Sequence, residues 1–588
     1  MRKLTNKLFM LAAGAMSLLA ACSEDYLDRA PLSNVSDGEF WKSTSDLQLY
    51  CNNFYNTFPS YTGFGSLGIY SLDADQGSDN AVIGDGYNTA MNGERVIPAS
   101  GGGWSWGTLK NVNYFMTHYQ TVNASWDVVK PYVGEALFFR AQFYFGMMKT
   151  FGDLPWITKP IVDLNDPALF DARLSRKMIT DSIIRDLDSA IAYLPSKSKQ
   201  AASRVHKELA MLLQSRIALY EGTWEKYHAG TPFGVTGSDG SALLQKAATA
   251  AEAVMTSGVF SLDNTVPSET NYWSLFNQTD YSGSKEIMLW RQYKIGVIVH
   301  NWHRYSIGGS ARGITKDLVD YYLCKDGQPI AVSPLYRGDD SIVRVVADRD
   351  PRLNQTVYVA DGKHITTNNK PNGAAPTIFT VPQLTGGGTE SNPTGYQIYK
   401  GHNPDYNQQY AAEVGTTALI LFRYAEALLN FAEAKAELGT LTQADVDLTI
   451  NKLRSRVGMP NLVIGAIVTD PNWEFPTLTP IINEVRRERR VELACEGFRR
   501  DDIYRWAAAD ELLVGWKPLG AKKNQFTTLV NATALAKYQV NADGYIEPYK
   551  IIANLSTGFK FNVNRDYLSP MPQDQLRLNT NLKPNPGW

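Results

Sequence analysis

The sequence predicts a mostly α-helical protein carrying long irregular insertions and minor β-structure. Three observations predict it. Apolar residues recur at helical spacing in several segments, each closed by Gly or Pro. Residues 59–108 are instead rich in Gly, Tyr, Ser, Asn and Asp. Residues 258–410 mix β-prone stretches, many turns and the aromatics Trp273, Trp290, Trp302 and Tyr305.

Taken in order, Phe40, Leu47, Tyr50 and Phe54 predict a first helix within about 38–58. The 59–108 segment is too long for an ordinary connection, which points to function or disorder, and its aromatics argue against disorder. Val133, Ala136, Leu137, Phe143, Tyr144, Met147 and Phe151 mark a helix stopping at Gly152-Asp153-Leu154-Pro155. Further helices are expected over 176–193, over 204–225, and from Leu243 to Ser257 before Gly258. The clearest pair comes later. Leu421, Ala425, Leu428, Leu429, Ala432 and Ala436 share one face, with Gly439 as the stop. Thr442 to Asp445 then forms a capping box, opening a helix with Val446, Ile450, Leu453 and Val457 on one side. Paired amphipathic helices with short turns resemble an irregular array of tetratricopeptide-like helical hairpins.

The N-terminus has the parts of an export signal in order. Arg2, Lys3 and Lys7 are followed by an apolar run from Leu8 to Leu19, too short to span about 30 Å of hydrocarbon. Leu19-Ala20-Ala21 then precede Cys22, where a bacterial lipoprotein signal is cut and the cysteine lipidated. An ordinary secretory signal with an incidental cysteine is the alternative. Two or three acyl chains on Cys22 would anchor the chain firmly. No later run is apolar and long enough for a transmembrane helix.

A length of 588 residues allows three or four domains. A net charge of −2 argues against a nucleic-acid-binding surface. The cysteines stand at 22, 51, 324 and 495, a spacing that matches no zinc site. With Cys22 acylated, three remain, so at most one disulfide forms.

Several motifs lack their required context. Gly63-Phe-Gly65-Ser-Leu-Gly68 fits G-x-G-x-x-G without the strand and helix that a dinucleotide site needs. Asp73-x-Asp75-x-Gly77-x-Asp79 resembles a calcium loop, but Ser78 and Gly84 stand where an EF-hand has Gly and Glu. Arg486 to Arg490 is interleaved with Glu484, Glu488 and Glu492, which predicts a helix face carrying i,i+4 pairs. G-x-S-x-G and H-E-x-x-H do not occur, and the acidic residues single out no catalytic pair. No spacing calls for a metal or cofactor.

The constructive signal is the aromatic-rich loop. Sugars present flat C–H faces that stack on Trp and Tyr rings, which bury large apolar area at small entropic cost. Trp104 and Trp106 follow Gly101-Gly102-Gly103; they would diverge on a strand but can converge on a turn. Core packing and ligand stacking both fit them. Asp79, Arg95 and Asn111 supply nearby polar groups.

The mature chain resembles the SusD/RagB family of Bacteroidetes nutrient-uptake outer-membrane lipoproteins. The resemblance is carried by Cys22 with Tyr26-Leu27-Asp28 and Pro31, and by Gly134-Glu135-Ala136 through Arg140-Ala141 and Tyr144 to Pro155. It continues in Arg423-Tyr424-Ala425-Glu426, Asn430, Glu433-Ala434, and Asn451 to Arg456. Most specific are Glu488-Arg489-Arg490 with Glu492-Leu493, Glu496-Gly497 to Arg505-Trp506, and Tyr567 to Pro572 with Asn585-Pro586-Gly587-Trp588.

The resemblance implies a tetratricopeptide-based fold capping a SusC-like TonB-dependent outer-membrane barrel, and glycan capture at the cell surface without hydrolysis. It implies a signal peptide over 1–21, a lipidated tether over 22–37 with Ser23-Glu24-Asp25 as an export signal, an N-terminal region over 38–257 and a C-terminal region over 258–588. Trp104 and Trp106 occupy places comparable to the family's aromatic arc. Asp79, Arg95, Asn111, Trp302 and Tyr305 are the further ligand contacts it suggests. The ligand's identity does not transfer. A peptide or other nutrient, and a glycan-cleaving surface enzyme, remain the competing readings.

Overall fold

Long helices laid side by side dominate the structure, a computed structural model describing residues 40–61, 75–84, 86, 88–161, 163–201, 203–387 and 390–588. The signal, Cys22, the tether, Asp73 and the Gly63–Gly68 motif lie outside the described residues.

Helix α1 spans Thr44–Asn52 and continues as a 3-10 turn over Asn53–Thr57. Next come α2 (Gly107–His118), α3 (Trp126–Phe151), α4 (Arg176–Tyr193), α5 (Lys207–Tyr227) and α6 (Ser241–Thr256). After the β-prone region follow α7 (Tyr424–Glu437), α8 (Gln443–Leu448), α9 (Ile450–Arg456), α10 (Pro480–Glu492), α11 (Arg499–Arg505) and α12 (Gln573–Leu578). Successive helices pack α3 on α4, α4 on α5 and α5 on α6; α6 packs on α7, and α7 on α10. This is the expected tetratricopeptide-like array of hairpins.

Local chemistry accounts for the ends. The Ser175 hydroxyl accepts from the Met178 N–H and opens α4, and Gly152, at φ 73°, ends α3 in a conformation only glycine adopts easily. The Thr442–Asp445 capping box is present, but the helix it opens is broken at Thr449 (φ −125°, ψ −89°) into α8 and α9. Two helix glycines permit close packing: a Cβ on Gly134 would lie 2.9 Å from Leu194, and one on Gly222 would lie 2.9 Å from Leu244. Buried ion pairs lace neighbouring helices, Arg140 to Asp186 (2.6 and 2.7 Å) and Arg216 to Glu426 (2.5 and 2.6 Å) among them.

Strand content is small. The described residues hold three two-stranded antiparallel sheets: β1 (Ala81–Ile83) with β3 (Arg312–Ile314), β2 (Ile287–Arg291) with β6 (Leu419–Arg423), and β4 (Ile365–Thr367) with β5 (Thr377–Ile378). The largest core cluster draws residues from Trp41 to Leu568, and a second gathers under the irregular insertions around Trp302, Ile314 and Tyr396. No described helix is long and apolar enough to cross a membrane.

The basic cluster on α10 departs from expectation. Ile482 to Glu492 are all buried, and their charges pair mainly with other elements. Arg487 bonds Asp470 at 2.7 Å, Arg489 bonds Asp502, and Arg490 bonds Glu474 and the Asn80 side chain. Glu488 bonds Arg352 and Arg454, while Glu492 bonds Arg352, Arg423 and Arg456. Arg487–Glu484 is the intrahelical pair among the described ones. Alternating charge at helical spacing suits a solvated stripe and a buried lattice equally well, and long-range partners make it the latter.

Candidate ligand-binding site

The loop ahead of α2 is clamped by the C-terminal segment. Arg95 donates to the Asp566 carbonyl at 2.9 Å and to the Ser569 hydroxyl, while its guanidinium lies 5.7 Å from the Trp588 ring. The Gln573 and Asp574 N–H groups donate to the carbonyls of Pro98 (3.0 Å) and Ala99 (3.1 Å). Gly101, Gly102 and Gly103 all have positive φ, and a Cβ on Gly102 would meet Pro98 at 2.6 Å. The triplet is therefore required for the turn rather than decorative.

That turn brings the two tryptophans together. Trp104 and Trp106 stand edge to face with centroids 5.2 Å apart. Trp104 packs on Phe151 (5.0 Å) and Trp106 on Phe143 (5.6 Å), and both indoles are half-buried. Each indole packs partly on the core and leaves part of its surface exposed. Among the described residues no hydrogen bond takes up either indole N–H. Asn111 lies exposed on the following turn of α2, where its carbonyl accepts from the Tyr50 hydroxyl at 3.2 Å.

The other expected contacts sit elsewhere. Asp79 is 3% exposed, its carboxylate bonded by Arg499 at 2.7 Å through both oxygens and paired with Arg490 at 3.1 Å. Burial pushes this carboxyl up, but the two guanidinium groups outweigh that and hold it below its ordinary range. Asp79 is thus a structural ion-pair member rather than a ligand contact. Asp75 is also buried, accepting from the N–H groups of Cys495 (2.9 Å) and Gly497 (3.0 Å), and burial lifts it to about 6. Asp75 and Asp79 are both spent on protein donors, and the described residues contain no group of side chains placed to hold a metal.

Trp302 is corrected likewise. It is 2% exposed, donates to the Gly401 carbonyl at 3.1 Å, and stacks parallel to Tyr61 in the second core. Tyr305 is half-buried against that same core, apart from the tryptophan pair. Arg95 acts as the loop clamp described above.

Sequence reasoning misses a cleft beside α2. It has a volume of about 470 Å³ and is walled by Thr108, Phe143, Gly146, Asn430 and Phe498, among others. The one available signal is Gly146, one of two glycines inside the helical pattern over 133–151.

Residues 25–219 match a family model described as starch-binding, associating with outer membrane, and residues 252–588 match the SusD family model. SusD-like protein P2 of Formosa agariphila is 24% identical, with 97% of each chain covered. A SusD-like carbohydrate binding protein from Bacteroides fragilis superposes with a TM-score of 0.69 at 23% identity, covering 92% of this chain and 100% of its own. A laminarin binding SusD-like protein shares the fold at a TM-score of 0.53 and 18% identity, covering 93% of this chain and 100% of its own. The chain belongs to the SusD family.

Proposed function

We propose that this protein is a surface lipoprotein that captures oligosaccharide and passes it, without hydrolysis, to a SusC-like TonB-dependent transporter in the outer membrane. The observation that carries the reading is the Trp104–Trp106 pair, two indoles fixed edge to face at the surface by a glycine turn and a C-terminal clamp. Rings held in place lose little entropy when a sugar stacks on them. Asn111 supplies an adjacent amide for hydroxyl groups. Proteins of the same fold that bind carbohydrate and laminarin support the ligand class. Lipid on Cys22 would hold the body at the membrane through the tether over 22–37, over a barrel contacted by the hairpin array.

Affinity electrophoresis against a glycan panel, with reducing-end release measured in parallel, tests this reading. Retardation by at least one glycan without sugar release is expected. Release of sugar would overturn the non-catalytic role. Co-purification of a large β-barrel protein in mild detergent tests the transporter partnership, and substituting Cys22 should release the protein from membranes.

A further inference from the structure

The cleft beside α2 shares an aromatic wall residue with the tryptophan pair. Phe143 belongs to its wall and lies 5.6 Å from Trp106, and Thr108, two residues past Trp106, also lines it. Its volume of about 470 Å³ falls in the range of roughly 300–1,000 Å³ typical of small-molecule sites. Phe422, Asn430, Arg489, Asp502 and Arg505 in its lining are all buried in the core. These residues close the cleft on the side of the core, so a sugar entering it meets a wall there.

Two buried polar atoms of cleft-lining residues have no hydrogen-bond partner among the described residues: Gln142 Oε1, an acceptor, and Asn430 Nδ2, a donor. Asn430 is fully buried, and its Oδ1 is already taken by Arg489 Nη1 at 3.0 Å. Leaving such groups unmatched costs about 1–3 kcal/mol each. Hydroxyl groups both donate and accept, so a polyhydroxylated ligand carries partners for both kinds of group. Phe143, Phe145, Phe422 and Phe498 offer apolar faces to its C–H groups.

Gly146 adds an independent argument. Three glycines interrupt the long helices α3 and α5, each at a cost of about 1 kcal/mol relative to Ala. Gly134 and Gly222 are explained by neighbours that a Cβ would strike. A Cβ on Gly146 would meet nothing within 4 Å, and its position faces the cleft. No protein contact accounts for this glycine; close approach of a ligand to the helix backbone does.

We infer that the cleft receives the terminal sugars of a glycan chain whose preceding rings lie on Trp104 and Trp106, so that the protein recognises chain ends. This rests on the glycan-capture reading above. The test is isothermal titration of the full mature chain with short and long members of starch-, laminarin-, xylan- and mannan-type glycans. Gly146→Phe fills the cleft, Gly146→Ala adds the single Cβ that a close approach excludes, and Asp127→Asn, an exposed residue that does not line the cleft, serves as the control.

For whichever glycan the parent binds, Gly146→Phe is expected to weaken binding about tenfold or more, Gly146→Ala by less, and Asp127→Asn not at all, with all three variants melting no lower than the parent. Binding per gram should also fall with chain length as ends become scarcer. Unchanged affinity in Gly146→Phe, or binding per gram independent of chain length, overturns the chain-end inference and leaves glycan capture standing. Failure of the parent to bind any member of the panel overturns the capture reading, and this inference with it.

Discussion

Glu492 is the most instructive place to perturb the fold. Its carboxylate is fully buried and accepts from Arg423 Nη1 at 2.7 Å, Arg456 Nη2 at 2.5 Å and Arg352 Nη1 at 3.0 Å. Burial alone would raise its pKa, but the three guanidinium groups outweigh it and hold the acid far below the ordinary carboxylate range. Glu492→Gln keeps the shape, removes the charge and turns an amide N–H₂ toward donors. Breaking a buried, hydrogen-bonded ion pair costs about 3–5 kcal/mol, because the remaining charges stay desolvated. Asp127→Asn is the control, since Asp127 and Lys130 form an exposed pair with side chains 83% and 35% accessible. Screening makes such a pair nearly worthless, so that variant should unfold with the parent.

Urea denaturation followed by tryptophan fluorescence reads both. The expected result is a clearly lower midpoint for Glu492→Gln at unchanged slope, and no shift for Asp127→Asn. The linkage has a definite sign. A depressed carboxylate stabilises the fold fully above its unfolded value of 4.5 and loses that contribution as pH falls through the folded value. The difference between parent and Glu492→Gln should therefore shrink in acid. A Glu492→Gln midpoint equal to that of Asp127→Asn would refute the claim that the α10 lattice is a dry, mutually dependent network.

Further expectations concern other sites. His300, His303 and His402 form a buried row with ring centroids 5.5 Å apart, and burial pushes His300 and His402 down to about 4 and His303 well below its usual value. Histidines kept neutral stabilise the fold fully above about 6.5 and lose that contribution toward 4, so melting temperature should be flat above pH 7 and fall between 6.5 and 4. A flat profile through that window would contradict the assignment. Cys51, Cys324 and Cys495 are free and buried. A thiol reagent should find none of them in the native protein and all three after denaturation. Gly102→Val forces a branched residue to φ 57° against Pro98. It should weaken glycan retention more than it lowers the melting temperature, because the strain falls on the platform loop.

Much of the scaffold is legible in the sequence because its signals are local. The 176–193 helix is bounded by a capping serine and a leucine turn, and Thr442–Asp445 caps α8 as the spacing predicts. Gly101–Gly103 announces the turn that joins Trp104 to Trp106. Residues whose role depends on distant partners are illegible. Asp79 finds Arg499 more than 400 positions away, and Trp302 finds Tyr61 across the second core. Both have the composition of ligand contacts and the surroundings of core residues. Gly146 shows the opposite case, a local anomaly whose meaning appears only once the neighbouring elements enclose a cleft.

The central claim is that the fixed indole pair at the head of α2 captures glycan. Affinity electrophoresis of the parent and of the Trp104→Ala/Trp106→Ala variant, in gels containing a glycan that retards the parent, measures it most directly. Each well-packed aromatic anchor contributes about 2 kcal/mol, roughly 30-fold in affinity, so the double variant should migrate as it does in a glycan-free gel. Equal retardation of a folded double variant would place the binding site elsewhere on the protein and contradict the account.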